Sequence, residues 1–171
     1  MKSYISPFIK LYHFETTQVI CASRITTSKK TTVSSNTSSL SQVYSSLTWN
    51  QKIAALNLMT VFGGSCSGSS QELQKINHIM TVEGRAMGVT GDQMRAGRNN
   101  FSGMKDMSNA LIGADRKALE NLFWAFYNII AIGRNEQAAH ILVAMYGDFG
   151  FSEDDCISIL ERRTGKRLSE L

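Results

Sequence analysis

Glu72, Glu83 and Glu136, together with His78, His140 and Cys156, are the side chains whose types could hold an ion or move a proton. Carboxylate, imidazole and thiolate are the ligands of transition-metal sites, and a helical bundle can gather them from facing helices. His78 and His140 fall in two helices that the apolar pattern pairs, from which each could reach Glu83 or Cys156. The Glu-x-x-His spacing of carboxylate-bridged sites does not occur, so the plainer reading is a partly exposed histidine or one bonded to a backbone carbonyl. Glu83 stands near an apolar stripe between Met80 and Met87, either at its edge or paired with Arg85 or an arginine of the 95–98 segment. A carboxylate there is the first choice for a pocket if the fold has one.

Other chemistry finds less support. Asp148-Phe149-Gly150 matches a kinase tripeptide, but no phosphate loop, catalytic His-Arg-Asp or strand lysine accompanies it. Cys21, Cys66 and Cys156 are widely spaced and form no CxxC, which excludes a zinc ribbon and a thioredoxin-type motif. No set of nucleophile, base and orienting group is visible, so no enzyme activity and no cofactor are expected. The run Arg162-Arg163-Thr164-Gly165-Lys166-Arg167 could dress a nucleic-acid recognition helix, or simply complement a helix dipole. Trp124 and Tyr127 flank a helix that already has a full core stripe. They are a candidate partner surface, with core packing as the plainer alternative.

The elements that must position these residues are helices. Thr48 and Gln51 fit a capping box, followed by Ile53 to Phe62 with only Asn50, Gln51, Lys52, Asn57 and Thr60 polar, so the wet face is narrow. Gly63 and Gly64 are placed to stop this helix, and Gly63 to Ser70 has turn chemistry. Ser69 and Glu72 open the next helix, in which Leu73, Ile76, Ile79, Met80, Val82 and Met87 recur at helical spacing up to Gly88. A loop this short makes the two helices antiparallel neighbours. One or two short helices are expected between Thr90 and Gly113, packing through Met104, Met107, Leu111 and Ile112. Asp115 caps a helix from Arg116 to Ile132, ended by Gly133. Asn135 caps another over Glu136 to Tyr146, and Ser152 with Asp155 opens the last. The pattern repeats. Leu56, Met59 and Phe62 map onto Phe126, Ile129 and Ile132 at an offset of 70, and Ile76, Ile79 and Met80 map onto Ala138, Ile141 and Leu142 at 62.

Leu-Asn-Leu-Met-Thr-Val-Phe-Gly-Gly at 56–64, the short loop, Gln71-Glu72-Leu73 and the Met87-Gly88-Val89-Thr90 exit together resemble the TerB-like helical family, named for tellurite resistance. The resemblance covers roughly residues 48–164 and implies an all-α bundle of two related hairpins. It also implies carboxylates in the turns for metal binding. This sequence has no Asp between Gly63 and Gly91, leaving Glu72 in the first turn and Glu136 in the second. A hard cation usually wants more than one carboxylate. Glu72 and Glu136 are the metal candidates if there are any, and Glu72 reads more simply as a helix cap.

Charge divides the chain. Residues 1–48 hold five Lys or Arg and one acid, whereas residues 49–171 hold thirteen of each sign. The body therefore has no net field for a phosphate backbone, and nucleic-acid binding is not expected of it. Fourteen of the twenty-three residues from Thr26 to Thr48 are Ser or Thr, a composition that predicts a disordered leader over 1–47. A transit peptide is its second reading, while His13 and Glu15 interrupt any secretory core. The only proline is Pro7, and no run of about 18 apolar residues exists. The expectation is an all-α domain of about six or seven helices over 48–171. It is read as a cytoplasmic protein-interaction or scaffold module of unknown partner and oligomeric state. A metal- or oxyanion-responsive stress protein is the alternative.

Overall fold

Each long helix begins where a side chain can satisfy its first free amides. The computed structural model describes residues 34–165 and 167, and among these it contains eight α-helices and no strand. They are α1 (Ser34–Val43), α2 (Trp49–Cys66), α3 (Ser70–Met87), α4 (Gly91–Gly97), α5 (Met104–Ala110), α6 (Arg116–Gly133), α7 (Glu136–Asp148) and α8 (Glu153–Thr164). Single 3-10 turns follow α1 and α4. Complete capping boxes open α2 (Thr48 with Gln51), α4 (Thr90 with Gln93) and α8 (Ser152 with Asp155), and Asp115 and Asn135 cap α6 and α7.

The core lies where α2 and α6 pack together, with α3, α5 and α7 closing round them and α8 against α6 and α7. Ile53, Leu56, Met59 and Phe62 of α2 meet Leu122, Phe126, Ile129 and Ile130 of α6 in one buried cluster. Phe62 and Phe126 stand edge to face at 5.4 Å. Asn57, expected on the wet face, is 1 % exposed. Its Nδ2 donates to the carbonyls of Ile53 (2.9 Å) and Met94 (3.1 Å), tying α4 to α2. Leu73 and Ile112, expected to pack, are instead among the exposed large apolar side chains.

One helix end differs from the sequence expectation, and a second shows where its cap falls. Gly63 and Gly64 do not stop α2, which runs on to Cys66 and leaves a loop of only three residues, 67–69. Gly63 is needed for another reason: a Cβ there would stand 2.8 Å from Ile76 Cγ2 of α3. At the other end of the core, Gly133 is the last helical residue of α6, and the left-handed cap falls on Arg134 (φ 51°). A non-glycine residue held there costs about 1 kcal/mol. Arg134→Gly is therefore expected to stabilise the fold by about that much and raise Tm by about 3–5 °C in a thermal melt.

The expected leader boundary also moves. Residues 1–33 of that segment lie outside the described residues. Within 34–47, however, α1 forms, Leu40 and Val43 pack on the core, and Tyr44 and Leu47 are buried. Helical structure is thus present ahead of Thr48, inside the Ser/Thr-rich stretch.

Candidate functional site

An open groove of about 920 Å³ lies between the first half of α3 and the last turns of α6. Its floor is apolar: Ile79 from α3, Ala131 and Ile132 from α6. Its rim is polar and cationic, with Gln71, Gln74, Lys75 and His78 following one face of α3 and Arg134 projecting from the cap of α6. Asn128 lines the α6 wall, and its Nδ2 donates to the Trp124 carbonyl at 2.9 Å. The spacing i, i+4, i+8 puts Trp124, Asn128 and Ile132 on one face of that helix.

Glu72 is the acid of this groove, and its carboxylate is already engaged. Oε2 accepts from the Gly68 amide at 2.8 Å, and the Glu72 amide donates to Ser69 Oγ at 3.2 Å. The Gly68 amide first, and then the Ser69 hydroxyl, hold its carboxyl below the usual range. It is a cap, reaching one residue further back than the expected pairing with Ser69. Glu136 is exposed on α7 and faces His140 at 3.9 Å. His78 is exposed on the groove rim. The two histidines therefore do not turn inward to meet Glu83 or Cys156, as a bundle metal site would need. Among the described residues, no three His, Cys, Asp or Glu side chains gather in a set that could hold an ion.

Glu83 is buried, at 9 % exposed, but lines neither this groove nor a smaller one of about 450 Å³ bounded by Asn77, Met80, Gly84, Arg85 and Met94. Its partner is neither Arg85 nor an arginine of 95–98: Arg95 is paired with Asp92. Instead Tyr44 Oη donates to Glu83 Oε2 at 2.5 Å, which fastens the segment after α1 onto α3. Burial pushes the Glu83 carboxyl above its usual range, against smaller opposing effects of the Tyr44 hydroxyl and the Arg163 guanidinium of α8. Burial, with Glu83 beside it, likewise drives the Tyr44 phenol far up. Nothing about Tyr44 was visible as a site residue from chemistry alone.

Of the aromatic pair, Tyr127 is 1 % exposed and belongs to the core, so it cannot be an open partner surface. Trp124 is half-buried and stacked on it at 5.8 Å. The C-terminal arginines are held down on α6: Arg162 Nη2 donates to Glu120 at 3.0 Å, and Arg163 donates to Asn121. Both described thiols are buried. Burial raises the Cys66 thiol and drives that of Cys156 up to about 12, so neither is a thiolate nucleophile at neutral pH. No described helix is long and apolar enough to cross a membrane. No family model, curated protein or solved structure matches the chain.

Proposed function

We propose that this chain is a non-enzymatic, TerB-like helical module that holds another protein, with the α3–α6 groove as its docking face. The observation that carries this reading is the groove itself: an apolar floor of Ile79, Ala131 and Ile132 under a polar rim, the anatomy of a recognition surface. Trp124 extends the α6 side of it by one turn, so part of the expected aromatic surface adjoins the groove. Support for TerB-like ancestry comes from the paired offsets at 70, now joined by Gly63 and Gly133, and from two central helices of 18 residues each. The metal form of the ion-responsive alternative would use Glu72 in the first turn, and that carboxylate is occupied as a cap.

The test is site-directed cross-linking. A photoreactive residue at Gln74 in the groove should capture a defined partner that, once purified, binds the full chain in a fixed ratio. The same group at Asp154 on α8 should capture none of it. Equal capture from both positions, or none from Gln74, removes the groove as the docking face.

A further inference from the structure

We propose that the α3–α6 groove takes an acidic amphipathic helix, an inference that rests on the docking reading above and names its partner class. Charge is the first reason. Lys75 and Arg134 stand on opposite walls, and neither has a carboxylate within 4.0 Å among the described residues, Arg134 acting on Glu72 only at longer range. Glu72, the groove's acid, is turned back onto the Gly68 amide. An occupant with carboxylates flanking an apolar stripe would answer both cations.

Shape is the second reason. The floor runs between two helices, and no strand edge exists among the described residues to accept an extended peptide. A helix laid in a groove presents anchors at i, i+3, i+4 and i+7, which suits a floor of Ile79, Ala131 and Ile132. The chain's own first 48 residues carry five cations against one acid, the opposite charge to the occupant proposed.

The probes are two synthetic peptides of about 18 residues, long enough to hold a helix when bound. Both carry the same leucine stripe; one is flanked by Glu and the other by Lys. Binding to the purified full-length chain is read by fluorescence anisotropy at low salt. The Glu peptide is expected to bind about tenfold more tightly than the Lys peptide, with the difference shrinking as salt rises. The double variant Lys75→Glu/Arg134→Glu, both positions exposed and circular dichroism confirming its helix content, should reverse that preference. Equal binding of the two peptides, a preference untouched by the double variant, or a concentration-dependent dimer that blocks the Glu peptide would each overturn the acidic-helix assignment. Ile132→Arg separates this from the docking reading. If it abolishes binding of both peptides while they show no charge preference, the groove stands and only the partner's charge is wrong. If neither peptide responds to Ile132→Arg, the docking reading falls as well.

Discussion

Gly133→Ala should lower stability by about 3 kcal/mol or more and Tm by about 10 °C. A Cβ at this position would stand 1.9 Å from the Cys66 carbonyl oxygen and 2.5 Å from its carbonyl carbon. The atoms it meets are backbone, so no rotamer change relieves the overlap, and the ends of α2 and α6 must move apart. That separation would strain the Asn135 Nδ2 bond to the Ser65 carbonyl (3.0 Å), which joins the same two ends. Gly64→Ala is the matched control. Gly64 lies inside α2 with nothing within 4 Å of its Cβ position, and alanine there should stabilise by about 0.5–1 kcal/mol. Thermal melts of the two variants should shift in opposite directions; a common direction would mean that helix propensity, not close approach, governs both glycines. The requirement at Gly133 also explains Arg134. Glycine cannot serve both as the contact and as the left-handed residue after it, so the cap falls on an arginine.

The helices were legible because caps and periodicity are local. Thr48 with Gln51, Thr90 with Gln93, Ser152 with Asp155, Asp115 and Asn135 all cap where their side-chain chemistry places them. Gly63 was misread because a helix stop and a helix–helix contact call for the same residue, and only the neighbouring helix tells them apart. α1 was hidden by composition. Ser and Thr dominate 26–48, yet Leu40, Val43, Tyr44 and Leu47 stand at i, i+3, i+4 and i+7, the stripe of an amphipathic helix. Four apolar residues at that spacing outweigh the hydroxyl content around them once a core is available to receive them. The groove could not be read in advance either. Lys75, His78 and Arg134 are separated by up to 59 positions, and it is the packing of α3 on α6 that brings them to one rim.

Tyr44→Ala is expected to cost about 3–5 kcal/mol, because it removes a fully buried ring and strands the Glu83 carboxyl beneath it. Tyr44→Phe separates the two contributions. It keeps the ring and deletes only the donor, at a cost of about 1–3 kcal/mol. The pH dependence identifies the carboxyl. Burial raises Glu83 above its ordinary 4.5, so the fold favours the protonated form. Its contribution is therefore fully present below pH 4.5 and is lost as pH rises through the elevated folded value. Glu72 and Asp155 act in the opposite sense: both carboxyls are held low by amide and hydroxyl donors, and their contribution disappears as pH falls. The difference between wild type and Glu83→Gln removes that background. Glutamine can still accept from the Tyr44 hydroxyl and carries no charge, so the two proteins should match in stability near pH 4, with Glu83→Gln pulling ahead as pH rises. Tyr44→Phe should show the reverse, falling further behind wild type once Glu83 ionises without its donor. Denaturant midpoints at several pH values decide it, and parallel curves for wild type and Glu83→Gln would show that Glu83 does not titrate with folding.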